Sequence, residues 1–225
     1  NLNNISKIIE RLFLTRLLPH ITSSPNFNPM QSAYRRHHST DTSLIHLLDS
    51  VYHAADDGLA TLLLSLDLSA AFDTIDHSIL LKRLSTSFGV MGSAHNWLNS
   101  YLSERSNSVR VGSSSSSVLS SICGVPQGSV LGPVLFSIYI SPIAHISSQF
   151  NVSQQQYADD TQLMLFLSPS DLDGSLLNLQ QCLSSLKSWF FHNGLALNSN
   201  KTEAICPAKP AEESFSGLAS IQVAD

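Results

Sequence analysis

The chain has 225 residues, of which 43% are hydrophobic and 13% are charged, and this balance excludes an intrinsically disordered polypeptide. It predicts one large domain or two small lobes with a buried core. The formal net charge of −5 on its own argues against a nucleic-acid partner, although the distribution of the basic residues matters more than the total. The longest apolar runs, residues 59–66 and 130–140, are too short to span a bilayer, so we expect no membrane partner.

The cysteine spacing and the first residues of the chain indicate the cellular compartment and the extent of the sequence. Cys123, Cys182 and Cys206 are widely separated and include no CxxC pair. This spacing argues against a disulfide framework or a zinc site and indicates a reducing, intracellular compartment. The chain opens NLNNISKIIERL with neither a methionine nor a signal-peptide pattern, and we expect it to be a fragment of a longer protein.

The first part of the chain predicts two helices and a strand. Apolar residues recur at helical spacing over residues 4–18, and we expect this helix to end at Pro19. Residues 39–57 start with Ser and Thr, repeat apolar residues three and four apart, and reach Gly58, which predicts a second helix. The compact apolar run LATLLLSLDL that follows is typical of a buried strand ending at Asp67.

The later elements alternate between helices and strands. In chain order we first predict helices at 77–89 and 93–104, a hairpin with a serine-rich turn at 107–122 and a helix with Pro133 in its first turn at 129–140. We then predict strand, tight turn and strand at 154–168, a long amphipathic helix at 171–194 and a short hairpin or strand pair at 195–206. Strands separated by helices, with one hairpin at the centre, predict an α+β fold whose sheet carries helices on one face.

Two adjacent aspartates, Asp159 and Asp160, lie in the apolar surroundings of QYADDTQL. Like charges in contact repel, and no Lys or Arg occurs between Arg110 and Lys187, so a metal ion or a distant basic residue must compensate them. Because neighbouring residues on a flat strand point to opposite faces, two adjacent carboxylates can serve one site only at a turn. The segment ADDT supplies such a turn. A plain Asp-rich turn is the alternative explanation.

A third carboxylate, Asp67, ends the apolar strand LLLSLDL. If this strand pairs beside the hairpin that contains ADD, Asp67 and Asp159 meet at one edge of the sheet. Hard oxygen ligands of this kind suit Mg²⁺, which also takes phosphate oxygens. Two such ions about 3.5–4 Å apart activate an attacking hydroxyl and stabilise the leaving oxygen of an in-line phosphoryl displacement.

Four ordered segments carry a family resemblance. They resemble successive motifs of the reverse transcriptase palm of non-LTR (LINE-type) retrotransposons, and their sequences are DLSAAFDTIDH, GVPQGSVLGPVLFSIYI, QYADDTQL and LALNSNKTE. Two earlier segments resemble the fingers-side motifs that precede the palm, and these are ISKIIERL and QSAYRRHHST. The resemblance covers roughly residues 5–206 and implies a right-hand polymerase with an antiparallel palm sheet. It implies fingers-like residues 1–58 and 75–123, palm residues 59–74 and 124–206, and a tail at 207–225 that leads toward a missing or incomplete thumb. Other domains of the full retrotransposon protein, such as the endonuclease, would lie outside this chain.

The resemblance implies a catalytic set. Asp67 and Asp159 would hold two Mg²⁺ ions, with Mn²⁺ as a substitute, and Asp160 would be the third carboxylate. Leu68 would offer its backbone carbonyl to the metal. Lys201 would protonate the leaving pyrophosphate, and the alternative explanation for this residue is a solvated loop lysine.

The resemblance also implies a nucleotide site. Phe72 stands where the family has an aromatic gate that clashes with a ribose 2′-hydroxyl, although a core phenylalanine is equally consistent with the composition. Gln127 and Gly128 would line the nucleotide pocket, since glycine allows close backbone approach. Arg35 or Arg36 would pair with the triphosphate, as guanidinium groups do.

The implied activity is RNA-directed DNA synthesis, in which a primer 3′-hydroxyl attacks the α-phosphate of a dNTP. The partners would be an RNA template, a DNA primer and dNTPs, and the location would be the nucleus. An RNA-dependent RNA polymerase is a rival hypothesis, but such enzymes usually present an Asp five residues after the first catalytic one, where this chain has Phe72. A catalytically inactive retroelement remnant, serving as an RNA-binding or interaction module, is the alternative from another class.

Overall fold

The computed structural model describes residues 3–126, 128–198 and 200–208, which divide into two compact units. The first unit comprises residues up to Phe27 together with Ala70–Tyr139, and the second comprises Asn28–Ser69 and residues from Ile140 onward. The helices are α1 (Asn4–Thr22), α2 (Thr40–Asp56), α3 (His77–Thr86), α4 (Gly92–Leu102), α5 (Gly132–Ile140), α6 (Ile143–Ser148) and α7 (Leu172–His192). The strands are β1 (Ala60–Leu66), β2 (Leu68–Ser69), β3 (Ser106–Asn107), β4 (Arg110–Val111), β5 (Ser114–Ser115), β6 (Leu119–Ser120), β7 (Ser153–Tyr157), β8 (Asp160–Leu167), β9 (Ala196–Leu197) and β10 (Glu203–Ala208).

The boundaries of the two units differ from those that the family resemblance implies for fingers and palm. Residues 28–58 belong to the same unit as the large sheet, because α2 packs against β1, β7 and β10. Residues 124–139 belong to the same unit as residues 75–123. The assignment of particular residues to fingers and palm therefore stays a prediction. Within the described ranges, no helix is both long and apolar enough to cross a membrane.

In the first unit, helix α1 continues beyond the residue at which the sequence predicts its end. Pro19 lies inside α1, which runs to Thr22, so the predicted boundary is wrong. A proline in a helix costs about 3 kcal/mol, because it lacks an N–H donor and crowds the preceding turn. Leu17 and Ile21, on either side of Pro19, are buried, and each buried side chain contributes about 1.5–3 kcal/mol. Burial of the last turn therefore outweighs the local cost.

The predicted hairpin of the first unit is confirmed, but its turn is not the serine run. β3 pairs with β6 and β4 pairs with β5, both antiparallel. The chain reverses at Gly112, whose φ of 61° lies in the left-handed region that favours glycine. Residues 113–117 therefore form mainly the returning arm of the hairpin.

A buried carboxylate connects α1 to the start of α5 within the first unit. Glu10 is 1% exposed, and its Oε2 accepts hydrogen bonds from the backbone N–H groups of Val130 (2.7 Å) and Leu131 (3.1 Å). The N–H groups at the start of a helix have no partner within the helix, so an acceptor from elsewhere in the chain satisfies them. Glu10 thereby holds the segment between GVPQG and α5.

The second unit is built on a four-stranded antiparallel sheet in the order β10-β1-β8-β7. This arrangement confirms the α+β class and the predicted strand, turn and strand over residues 154–168. The predicted strand pair at 195–206 is wrong, because β9 pairs with β2 whereas β10 pairs with β1. A turn closed by hydrogen bonds from Lys201 N–H and Thr202 N–H to the Asn198 carbonyl (both 3.1 Å) redirects the chain between these strands.

The central strand β1 is buried on both faces. Leu63 packs with Leu47 and Val51 of α2, so α2 covers one face. Leu62 and Leu64 point to the opposite face and are also buried. Because neighbouring residues of a strand point to opposite sides of the sheet, a run of consecutive leucines puts apolar side chains on both faces of β1, and neither face can be exposed to solvent.

The Glu10 interaction gives a stability prediction. Replacing Glu10 with Leu leaves one buried and one partly buried N–H group without an acceptor, and the free energy of unfolding should fall by about 2–4 kcal/mol. Glu10→Gln keeps one carbonyl oxygen and should lose less than half as much. Equilibrium urea unfolding measures both values. Equal losses in the two variants would show that packing, and not hydrogen bonding, sets the contribution of Glu10.

Candidate active site

The register between β1 and β8 determines which carboxylates lie together. Leu66, the last residue of β1, pairs with Thr161. Continuing this antiparallel register by one residue places Asp67 opposite Asp160. Asp67 is half-buried and Asp160 is exposed. The end of an apolar strand and the start of its partner thus bring two carboxylates to the same end of the sheet.

Asp159 lies in the turn that joins β7 to β8. Tyr157 pairs with Asp160, which leaves Ala158 and Asp159 as a two-residue connection between the strands. Ala158 has a φ of 58°, in the left-handed region that costs a residue with a side chain about 1–2 kcal/mol. The three aspartates that the resemblance singles out therefore occupy one end of the sheet of the second unit.

Negative charge accumulates at this end of the sheet. The pKa of Asp160 lies above its usual value, because partial burial disfavours its charged form and the charges of Asp159 and Asp67 repel it. Within residues 3–126, 128–198 and 200–208, none of the three carboxylates forms an ion pair. In the same ranges, no three His, Cys, Asp or Glu side chains converge as a ready-made metal site. The hard-oxygen donors suit a divalent cation, provided that other ligands complete its coordination.

The segment containing Lys201 is attached directly to the Asp67 backbone. The Asp67 carbonyl accepts a hydrogen bond from Asn198 N–H at 2.9 Å, and the neighbouring Leu68 pairs with Leu197. The Asn198 carbonyl in turn accepts from Lys201 N–H at 3.1 Å. The side chain of Lys201 is exposed. Two successive backbone hydrogen bonds therefore hold this lysine near Asp67.

The two candidate arginines have different surroundings. The Nη1 of Arg35 donates to the carbonyls of Pro29 (2.7 Å) and Gln31 (3.1 Å) in its own segment, and its side chain is half-buried. Arg36 is exposed. A guanidinium held by backbone carbonyls stiffens its segment, whereas an exposed one is available to an anionic ligand.

Tyr34 was missed by the sequence reasoning, although it stands in the quoted segment QSAYRRHHST. Its side chain is 45% exposed and its φ is 61°, which is unusual for a bulky residue. The pKa of its hydroxyl is raised, first by partial burial and then by the negative charge of Asp159 and the neighbouring Tyr157. The phenol thus lies within electrostatic range of the turn aspartate.

A network of buried amide side chains was also missed. Gln154, Gln155 and Gln156 of β7 are all buried, as is Asn28. Asn28 exchanges hydrogen bonds with Gln154 (3.2 and 2.7 Å) and donates to Gln156, which donates to Thr161 Oγ1 at 3.1 Å. Gln155, between them, points to the opposite face of β7 and donates to serine hydroxyls there, so the network contains Gln154 and Gln156. The run of glutamines next to YADD is its signal in the sequence.

The remaining candidate residues belong to the first unit. Phe72 is half-buried, and its ring centroid lies 4.7 Å from that of the fully buried Phe136 at an interplanar angle of 33°. Gly128 is exposed with a φ of 76°, a conformation that favours glycine. Gln127 lies outside the described residues. Asp67, Leu68, both arginines and Lys201 belong to the second unit with Asp159 and Asp160.

The crowding of charge at Asp160 gives a second stability prediction. A carboxyl group whose pKa is raised by folding binds protons more tightly in the folded state, so stability falls as pH rises from about 4 upward. Asp160→Asn removes this repulsion, and its thermal midpoint at pH 7 should exceed that of the parent. The difference should shrink as the pH is lowered to about 4.

The matched control for Asp160→Asn is Asp173→Asn, which removes an exposed carboxylate from the first turn of α7. A negative charge is favourable there, so this variant should not raise the midpoint. Scanning calorimetry across this pH range makes the comparison. A higher midpoint for both variants would assign the effect to net charge and not to the aspartate cluster.

Comparison with known proteins identifies related chains. The sequence is 30% identical over 210 residues to a probable RNA-directed DNA polymerase from transposon BS of Drosophila melanogaster, covering 91% of this chain and 23% of that protein. It is 31% identical over 206 residues to the RNA-directed DNA polymerase from mobile element jockey of the same organism, covering 89% and 22%. The chain thus spans about a quarter of the length of these relatives.

Solved structures with the same fold include telomerase from Candida tropicalis in complex with a TWJ fragment of telomeric RNA. The TM-score is 0.65 at 14% identity, covering 90% of this chain and 33% of that chain. Apo telomerase from the same organism, truncated from its C-terminal domain, gives a TM-score of 0.63 at 14% identity, covering 92% and 42%. Residues 1–218 match the family model described as reverse transcriptase (RNA-dependent DNA polymerase). The chain belongs to this family, and it is a reverse transcriptase domain of the kind found in non-LTR retrotransposons.

Proposed function

We propose that this domain catalyses RNA-directed DNA synthesis, with an RNA template, a DNA primer and dNTPs as its partners. The observation that carries the proposal is the register that sets Asp67 opposite Asp160, with Asp159 in the adjoining turn and no ion pair to any of them among the described residues. Uncompensated carboxylates are costly, and they are explained if a cation and a phosphorylated substrate bind there. By family resemblance we place this activity in the nucleus.

Enzymes that join nucleotides generally use divalent metal ions. We infer that Asp67 and Asp159 would hold two Mg²⁺ ions, assisted by Asp160 and the Leu68 carbonyl, and that the same hard-oxygen donors would accept Mn²⁺. When bound, the ions supply activation of the primer hydroxyl and stabilisation of charge on the phosphoryl group. Mg²⁺ at such sites is usually bound by one or two carboxylates and completes its coordination with waters and phosphate oxygens of the substrate.

The basic residues would act on the triphosphate. The exposed ammonium of Lys201 would donate a proton to the leaving pyrophosphate, and its segment is held beside Asp67 through Asn198. Arg36 is exposed and suits bidentate binding of phosphate. Arg35, whose Nη1 already donates to two carbonyls, would support that segment and lie close to the same anion.

The sugar would be selected in the first unit. Contact with the buried Phe136 restrains the half-buried ring of Phe72, and a restrained ring excludes a ribose 2′-hydroxyl more effectively than a mobile one. Gln127 and Gly128 would line the nucleotide pocket, with the glycine leaving room beside the backbone. These roles favour dNTPs over rNTPs, and hence DNA as the product.

The first functional test concerns the carboxylates. Asp159→Asn removes a charged metal ligand that contributes several kcal/mol, so primer extension on an RNA template with Mg²⁺ should fall by about 10³-fold or more. Asp173→Asn, an exposed residue of α7, is the control and should retain full activity. Extension by Asp159→Asn at the parental rate would reject the metal assignment. Template binding by the parent without any synthesis would instead favour the inactive RNA-binding remnant.

The second functional test concerns Phe72. Phe72→Ala opens the space that the ring occupies, so the preference for dNTPs over rNTPs should fall by at least about tenfold, because a steric clash is the source of discrimination. Phe72→Tyr keeps the ring and should preserve the preference. The ratio of kcat/KM for dTTP and UTP measures it. An unchanged ratio in Phe72→Ala would leave Phe72 as a core residue and not a gate.

A further inference from the structure

The side chain of Gln31 bonds both backbone groups of the residue that precedes Asp159. Its Nε2 donates to the Ala158 carbonyl at 3.0 Å, and its Oε1 accepts from Ala158 N–H at 3.0 Å. The same Oε1 accepts from Ala33 N–H at 3.0 Å. Gln31 is fully buried, and its partner in the turn lies 127 residues away in the chain.

The turn requires such a partner for two reasons. Ala158 lies between β7 and β8, where the sheet ladder does not satisfy its N–H and C=O groups, and buried backbone groups need hydrogen bonds. Its left-handed φ of 58° is unfavourable for alanine and persists only when its surroundings enforce it. The Gln31 amide supplies both hydrogen bonds at once.

Gln31 is itself held in place by the sheet. Ser32 N–H donates to the Gln156 carbonyl at 2.9 Å, and Gln156 N–H donates to the Met30 carbonyl at 3.0 Å. Gln31 and Gln156 form a parallel bridge, so the segment around Gln31 extends the edge of the sheet beyond β7. The amide is therefore presented to the turn from a rigid backbone.

We propose that Gln31 is a positioning residue that fixes the Ala158–Asp159 turn and, through it, the carboxylate of Asp159. The proposal rests on the function proposed above, in which Asp159 takes part in nucleotide transfer. Without the amide, the peptide groups of the turn can rotate, and the turn no longer fixes the position of the Asp159 side chain. The loss should appear in kcat, with a change of less than about threefold in the KM for dNTP, because Gln31 acts on the catalytic carboxylate and not on substrate binding.

Gln31→Glu separates this role from a general contribution to the fold. A protonated carboxyl group has one O–H donor and one carbonyl acceptor, so it can reproduce all three hydrogen bonds of the amide. An ionised carboxylate has no donor and directs a negative charge at the Ala158 carbonyl. Burial and the nearby aspartates raise the pKa of the introduced group, which makes the exchange between the two forms measurable.

The expected result is a pH-dependent ratio of variant to parental activity. At pH 8 the kcat of Gln31→Glu should be at least about tenfold below that of the parent at the same pH, and near pH 6 it should return to within about twofold. The titratable groups around the turn are Tyr34, Arg35, Tyr157, Asp159, Asp160 and Asp67. Parent and variant share these groups, so a pH dependence of the ratio reports the introduced carboxyl group and its effect on them. Gln181→Glu on the exposed surface of α7 is the matched control, and its ratio should not depend on pH.

Hydrogen exchange supplies a readout that does not need activity. The Ala158 amide should be protected in the parent at both pH values, unprotected in Gln31→Glu at pH 8 and protected again near pH 6. The amides of Leu163 and Leu165 in β8 report whether the sheet remains folded. A second variant, Gln31→Met, removes the hydrogen bonds without adding charge and replaces Gln31→Glu if that variant unfolds at pH 8. Gln31→Met should lose both activity and protection of the Ala158 amide at either pH.

The outcomes separate the two proposals. The positioning role would be overturned if Gln31→Met kept both normal protection of the Ala158 amide and a normal kcat. It would also be overturned if the activity loss in Gln31→Glu did not change with pH. Recovered protection without recovered kcat near pH 6 would also overturn it, because the turn would then be restored without effect on catalysis. A parent that makes no DNA would refute the proposed function, while the exchange data would still decide whether Gln31 holds the turn.

Discussion

The antiparallel pairing of β1 with β8 is the constraint on which the site depends, because a slip of one residue would separate Asp67 from Asp160. Hydrophobic pattern alone specifies this register weakly, since β1 is buried on both faces. The register is determined at the ends of the strands instead. The two-residue turn at Ala158 and Asp159 sets where β8 begins, and the hydrogen bond from Asn198 to the Asp67 carbonyl sets where β1 stops.

The polar groups around the carboxylates are neutral, and this has an electrostatic consequence. Asn28, Gln154, Gln156 and Thr161 hydrogen-bond with one another without bringing positive charge to the sheet. A buried lysine or arginine in their place would neutralise the aspartates and compete with a cation for them. Amides therefore provide rigidity while the negative charge remains available to a ligand, and the raised pKa of Asp160 reflects the energetic cost.

Periodicity in the sequence predicts most helices, the buried strand β1 and the central hairpin, because each depends on neighbours close in the chain. It also predicts the turn that carries Asp159. It misses Gln31 and Glu10, since their partners lie 127 and about 120 residues away and no local pattern reports a contact of that range. The end of α1 is missed for a related reason, because burial of Ile21 outweighs the proline rule.

Three side chains restrain candidate functional segments, each within its own unit. Glu10 holds the start of α5, Gln31 holds the turn before Asp159, and Phe136 restrains the ring of Phe72. A functional group must stay within a fraction of an ångström of its working position, and packing or hydrogen bonds from distant residues provide that restraint. The two explanations of Phe72, as core residue and as gate, are therefore compatible. A ring can exclude a hydroxyl group only if its own packing prevents it from moving aside.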